Sequence, residues 1–408
     1  MLKRTSLLCT LAMLLACSVS YGQLERLYVT TSDGHLLAID GLNAGTHDRG
    51  MPGDNTINDV HQPGVHHTVL GVGNETSVHG LQVVAGAVDA VVRVFNADLS
   101  VNTFNKPLSG AGNAISAVQV GSLNGLNHSI VASHGWLDGG GNRGTNVFTM
   151  SPDLVTNHTI NTIPNILIKD AKLAEVDGSF TGNELVLGGI NDVTQDPSSA
   201  TLFKYRWDGA NTTWAGQSGP LNNHLEAIAV GDGKIVDVGA NAAGPNPAVI
   251  SDSSQAFDGN FGFQWFNAGP SIGTLVDAEF GDLFSDPGLE YIAAGDQAIF
   301  IVDAQSGAGS FQQINTGENN TSLILADVLG NDGALEIIVG TASGKIMAYE
   351  HSTPGDDTTG FVLAATLNLN LGAGDYGVTD LQSVTIPEPA TMTLLTLGTL
   401  GVLRRRKR

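Results

Sequence analysis

Three short stretches hold acidic and amide side chains close enough in sequence to converge on one cation. Asp282, Asp286 and Glu290 follow one another at intervals of four. Asp327, Asn331, Asp332 and Glu336 repeat that spacing with one residue inserted, and Glu175, Asp177 and Glu184 form a third set. Calcium takes several oxygen ligands that a tight turn can aim at one point, so these loops are candidate Ca2+ sites. The same side chains can instead cap their own turns through local hydrogen bonds.

Other chemistry is thinner. His61, His66, His67 and His79 crowd one region, but the adjacent His66 and His67 point to opposite faces of a strand and do not readily share an ion. A solvated loop is the expectation there. Gly139 to Gly144 reads GGGNRG, which formally fits a dinucleotide fingerprint, yet Thr145 to Met150 reads as a strand where that fingerprint needs a helix. Gly340 to Lys345 is one residue short of a phosphate loop and is followed by Ile346, so it reads as a hairpin turn. There is no Gly-x-Ser-x-Gly and no His-Glu-x-x-His, and both cysteines, Cys9 and Cys17, lie near the N-terminus. Asp138, Asp192, Asp252 and Glu318 fall in turns from which a shared site could be assembled.

The elements that must position these residues form a repeat. Each unit has an apolar strand, a turn rich in Gly, Asn and Asp, a strand ending in a small residue, a turn and a third strand. The clearest copies are Leu275 to Asp303 and Leu323 to Glu350; weaker ones start near Val69, Ala117, Ala171 and Ala227. The small residue recurs as Thr31, Gly86, Ser133, Gly188, Gly239, Gly295 and Gly340, at intervals of 55, 47, 55, 51, 56 and 45. Four short strands with their turns fit that length. Apolar runs such as Ile337 to Val339, bounded by Gly and Asp, are strands buried on both faces, and such sheets must stack. The fold class expected is all-β, a seven-bladed β-propeller over residues 23–385. Gly377 to Ile386 is a strand with no unit after it, and the first unit lacks a strand before it. Pairing of that C-terminal strand with the first blade is therefore expected to close the ring.

Both ends read as addresses. Residues 1–22 have a basic start at Lys3 and Arg4, an apolar stretch and small residues up to Gly22, the pattern of a signal peptide. Leu14, Leu15, Ala16 and Cys17 also fit a lipobox. Residues 386–408 carry Pro387, Glu388 and Pro389, an apolar run from Met392 to Leu403, and Arg404, Arg405, Arg406, Lys407 and Arg408. That short run makes a transmembrane helix whose basic end stays on the cytoplasmic side. Without these two ends, the 40 acidic and 18 basic residues fall to 39 and 11, a body charge of −28. A surface of that sign repels nucleic acid, which is not an expected partner. The 52 glycines in 408 residues argue against a helical bundle.

The tail resembles the bacterial PEP-CTERM sorting signal, which joins a Pro-Glu-Pro motif, a short hydrophobic helix and an arginine-rich end. The resemblance implies an exosortase-type protease as a partner besides signal peptidase, and an association with exopolysaccharide or biofilm. The hairpins resemble the FG-GAP and VCBS type of propeller repeat, which implies calcium in the acidic loops, although Phe284 and Leu329 stand where that pattern has an acid or amide. Third strands such as His35 to Asp40 and Ile299 to Gly307 are similar to quinoprotein repeats. No quinone is expected, because those enzymes commonly use a cysteine pair that this body lacks. The function these readings favour is a noncatalytic binding or scaffold protein with a glycan, matrix or surface-protein ligand. The alternative is a secreted polysaccharide lyase or hydrolase.

Overall fold

The computed structural model describes residues 24–386, apart from 77–79, 101, 109–113, 124–125, 138–142, 151–156, 177–182, 192–199, 208–211, 218–222, 232, 242–247, 253–263, 268–272, 285–287, 304–310, 331, 353–359 and 372–375. The described residues are all-β and contain no helix. The chain opens with β1 (Leu24–Thr31), β2 (His35–Asp40), β3 (Gly45–Asp48) and β4 (Thr56–His61). Next come β5 (His67–Thr76), β6 (Gly80–Ala87), β7 (Val91–Asn96) and β8 (Asn102–Pro107). Then follow β9 (Ala114–Leu123), β10 (Leu126–Leu137), β11 (Arg143–Met150) and β12 (Asn157–Pro164). The middle holds β13 (Ile166–Ala174), β14 (Glu184–Asn191), β15 (Thr201–Trp207) and β16 (Thr212–Gln217), then β17 (Asn223–Gly231), β18 (Lys234–Asn241), β19 (Ala248–Asp252) and β20 (Gln264–Asn267). The chain continues with β21 (Leu275–Gly281), β22 (Glu290–Asp303), β23 (Phe311–Ala326), β24 (Glu336–Thr341), β25 (Lys345–His351), β26 (Phe361–Asn368) and β27 (Val378–Ile386).

These strands make five antiparallel four-stranded sheets and one of seven strands. In the larger sheet β22 pairs with β21 up to Gly295 and with β23 from Asp296 onward, and β23 turns from β22 to β24 at Asn319 and Asn320. Each of those two strands thus serves two neighbours at a bend, where Gln297 takes a φ of 65°. The first strand of each unit packs against the first strand of the next, from β5 through β9, β13, β17, β21 and β23 to β27, and β27 packs against β5.

Apolar clusters fill the spaces between neighbouring units. Leu27, Leu37, Ile338, Ile346 and Leu381 join the two ends of the chain, while Tyr28, Leu36, Val83 and Phe95 join the first unit to the second. The recurring small residues are explained by this stacking. A Cβ on Gly188 would lie 2.8 Å from Ile228 of the next unit, and one on Gly86 or Gly340 would run into Ile115 or Val378. Every marker also pairs beside a β-bulge in the preceding strand, as Gly188 does with Asp170 and Gly340 with Ser322.

The two ends are tied twice. β27 pairs antiparallel with β1 from Thr31↔Val378 to Leu24↔Ile386, as the unpaired C-terminal strand led us to expect. This strand takes in Ile386, one residue inside the segment assigned to the sorting signal. In addition, β3 leaves the first unit and adds parallel to the outer edge of β26, with Asn368 donating to Asp48 at 2.8 Å. Its cover removes an exposed edge from the last unit.

Candidate functional site

The bulges aim one set of side chains inward. Asp170, Asp277 and Asp380 each follow the bulge of a first strand, and each carboxylate makes the same two bonds. One oxygen accepts the N–H of the next residue, at 2.7 Å for Ala171, 2.8 Å for Ala278 and 2.7 Å for Leu381. The other accepts an N–H from the neighbouring first strand: Ile228 at 3.0 Å, Leu323 at 2.7 Å and Leu70 at 2.7 Å. Thr68 and Thr321, at the bulges themselves, donate to the Ile115 and Val378 carbonyls of the next strand at 2.6 and 2.7 Å. The sequence reading did not single out these aspartates. The signal was present: Asp170, Asp277 and Ser322 stand five residues before Glu175, Asp282 and Asp327.

These acids line a central cavity with Gln119, Lys172, Glu279 and Gln382, and the free space inside is about 40 Å³. That holds water or a small ion but not a sugar ring. Burial pushes Asp380 up to about 7 and Asp277 well above the ordinary carboxylate range. Burial alone would lower Lys172, but Glu279, Asp170 and Asp277 outweigh it and hold the ammonium above its usual value. Lys172 meets Glu279 at 2.8 Å. Among the described residues no His or Tyr lines this cavity.

The acidic hairpins prove to be different from one another. Glu184, Glu290 and Glu336 are all buried at the start of a second strand. Their carboxylates cap the preceding turn, accepting the N–H of Val176 at 2.9 Å, Leu283 at 2.7 Å, and both Val328 at 2.7 Å and Leu329 at 3.1 Å. Turn capping is thus real in all three loops. In the last one, a carboxylate oxygen each from Asp327, Asp332 and Glu336 also lie within 4.8 Å of one another. Asp327 Oδ2 accepts the Gly333 N–H at 2.7 Å, while its Oδ1 is buried and accepts no hydrogen bond. Burial, with repulsion from Asp327 and Asp332, pushes Glu336 up to about 7, against the two N–H bonds it accepts. Burial and Asp332 likewise raise Asp327. Close carboxylates, of which Glu336 is buried and Asp332 exposed, with an orphaned oxygen on Asp327, fit a hard divalent cation. Asp286, Asn331 and Asp177 lie outside the described residues, and Asp282 is exposed.

Sequence reasoning missed Glu25, whose carboxylate accepts the Asp327 N–H at 3.1 Å from β1. The histidine expectation needs correction in part. His61 and His66 are exposed, but His67 is 1% exposed, its ring nitrogens are without hydrogen-bond partners, and burial pushes it down to about 4. It is packed there because β5 starts between two units rather than in a loop. His61 stacks on His35 at 4.0 Å, and His35 bonds Asp59 at 2.7 Å. Glu318 lies within β23 rather than in a turn, tied to Ser343 at 2.8 Å and salt-bridged to Lys345, and Asp252 is the last residue of strand β19. Asp138, Asp192 and His79 lie outside the described residues.

The tail decides the chain's address. Residues 385–408 match the family model described as the PEP-CTERM protein-sorting motif. This C-terminus is a PEP-CTERM sorting signal. It marks an exported protein, processed by an exosortase, with a membrane-anchored sorting segment at its end. Pro387, Glu388, Pro389, Arg404, Arg405 and Arg406 lie outside the described residues, as does the apolar run; among the described residues no helix is long and apolar enough to cross a membrane. None of the curated proteins matches this chain. Among solved structures, the crystal structure of the computationally designed Ika8 protein is similar over 89% of this chain and 91% of that one, with 15% identity and a TM-score of 0.48. That likeness is too slight to bear on fold or function.

Proposed function

We propose that this PEP-CTERM chain is an exported, seven-bladed β-propeller that acts at the cell surface or in the extracellular matrix as a noncatalytic binding or scaffold protein. The blade count is supported by reading the seven-stranded sheet as two four-stranded units: β22 bends to give the second and third strands of one, β23 bends to give its last strand and the first strand of the other, and β3 adds at the edge. The cyclic packing of the first strands supports closure. The observation that carries the noncatalytic reading is the use of Asp170, Asp277 and Asp380 as strand clamps around a cavity too small for a sugar. An exopolysaccharide or other matrix polymer is the ligand class we assign, bound on a blade face rather than in the channel.

In this reading the hairpins are FG-GAP or VCBS-like, and Asp327, Asp332 and Glu336 hold Ca2+ in the last blade, with Asn331 a further ligand. Asp282, Asp286 and Glu290 are the second such loop. The ion would neutralise the repelling carboxylates and stiffen the hairpin; it has no catalytic part. A thermal melt of the full chain in chelator and then in millimolar calcium tests this, because an ion bound only to the folded state raises its stability. A rise of several degrees that Asp327→Ala removes is expected; no rise leaves the acids as turn caps. Glycan-array binding of the same protein tests the ligand class, and turnover of a polysaccharide on that array overturns the noncatalytic reading.

A further inference from the structure

In all three clamps the residue after one bulge reaches the residue two past the next, the constant offset of neighbouring first strands that run the same way. The turns after β21 and β23, which begin at Asp282 and Asp327, therefore lie at one end of the molecule. In the first unit that hairpin is missing. Its place is taken by the first and last described residues, Leu24 paired with Ile386. The bond from Asp327 N–H to Glu25 confirms that the acidic hairpin and the ends are neighbours. The described residues end with β27 at Ile386, and the apolar run of the sorting segment starts at Met392. Five residues, six steps from Cα to Cα, join them, a reach of at most about 22 Å when fully extended.

From this we propose that, while the sorting segment is in the membrane, the hairpin end of the body faces the lipid headgroups and the opposite end points outward. The proposal rests on the anchoring reading of the tail. The tether leaves too little length for the body to turn over, because an eight-residue strand such as β1 spans about 26 Å by itself. Exposed apolar side chains lie at both ends, Val88 among them at the other, but the hairpin end adds an aromatic cluster. Val362 and Leu363, 45% and 50% exposed, lie on the half of β26 that pairs with the hairpin-end half of β25, and Ile57 is 43% exposed at the start of β4 on the same end. Beside them Phe284, His351 and Phe361 form a ring cluster with centroids 5.0 to 6.3 Å apart. An apolar and aromatic rim is what a headgroup surface accepts. Exposed acids such as Asp282 and Asp332 add no attraction to an anionic leaflet, so the tether supplies the contact. The outward end then carries the β1–β2 turn with Asp33, His35 and His61, and the β6–β7 turn with exposed Val88, accessible to an extracellular partner.

The body lacks cysteine, so single labels can be placed without interference. Full-length protein with Cys9 and Cys17 replaced by Ser would carry Asp282→Cys or Leu363→Cys at the hairpin end, or Val88→Cys or Ala342→Cys at the other. Each is labelled with bimane and reconstituted into phosphatidylcholine vesicles containing headgroup nitroxide lipid, and only the floated fraction is measured. Quenching at 282 and 363 at least threefold stronger than at 88 and 342 is expected. Equal or reversed quenching overturns the orientation. A chain ending at Ile386 should neither float nor be quenched; if it does float, lipid contact does not need the tether and the proposal fails. If the full chain does not float, the anchoring reading itself is wrong, a result distinct from a reversed pattern.

Discussion

The carboxylate of Asp380 accepts a hydrogen bond from the Leu70 N–H at 2.7 Å, joining residues 310 positions apart in sequence. Its second oxygen holds the Leu381 N–H inside the same bulge. One side chain therefore fixes both the irregularity of its own strand and the place of the next one. Asp170 and Asp277 repeat this elsewhere in the ring of first strands, whereas Val69, Ala117, Ala227 and Ser322 occupy the corresponding positions without a carboxylate.

Replacing Asp380 by Ala leaves two buried N–H groups without an acceptor, and each such loss costs roughly 1–3 kcal/mol. A total loss of about 2–6 kcal/mol is expected from urea unfolding. Asp380→Asn keeps one acceptor and should lose about half as much. Ala227→Asp is the matched control; if Asp380→Ala behaves like a neutral surface change, the clamp has no energetic weight.

Stability should rise as the pH is lowered from 8 toward about 5. Asp380 and Glu336 are both pushed up to about 7, the first facing Lys172 and Asp170, the second facing Asp327 and Asp332. A carboxyl with a raised folded value binds its proton more readily folded than unfolded. Its contribution is fully present below the unfolded value and disappears as the pH passes 7. Buried His67 acts the other way: held down to about 4 among Arg93, Asp89, Asp33 and His35, it costs stability as the pH falls from about 6.5. Melting temperature against pH should peak on the acid side of neutrality, and His67→Gln should soften the fall below the peak. A peak above pH 8 contradicts the assignment.

Gly340→Val should destabilise by about 1–3 kcal/mol, the usual cost of overpacking. The new Cβ meets Val378 and Ser322 at the seam between the last unit and β27. Gly330→Ala serves as comparison because a Cβ there meets nothing, although its φ of 71° brings local strain. Calorimetry distinguishes a seam defect from the milder backbone effect.

A chain ending at Gly377 lacks β27 and leaves β1 as an unpaired edge. Unpaired strands recruit other strands, so this truncation should elute as aggregate or oligomer and lose a cooperative melt. A chain ending at Ile386 keeps the closing strand and should remain monomeric. Equal behaviour of the two in size-exclusion chromatography would falsify the role of the β1–β27 pair.

Much of this was already legible in the residues. The small residues from Thr31 to Gly340 marked the repeat, and at Gly86, Gly188 and Gly340 the reason is that a side chain would run into the next unit, a local, single-residue requirement. Alternating apolar runs and Gly-rich turns determined the all-β class, and the tail's order of Pro-Glu-Pro, apolar run and arginines determined the sorting signal, since both are written in consecutive residues. The tertiary structure alone decided which acids are clamps and which share a site. Asp277 and Asp327 are the same residue type on similar strands, but one meets two N–H groups while the other keeps an orphaned oxygen beside Asp332 and Glu336. The burial of His67, the neighbourhood of Glu25 and the addition of β3 to β26 likewise depend on units that meet only when the chain returns on itself. Such contacts join residues far apart in sequence, and no local pattern encodes the distance between them.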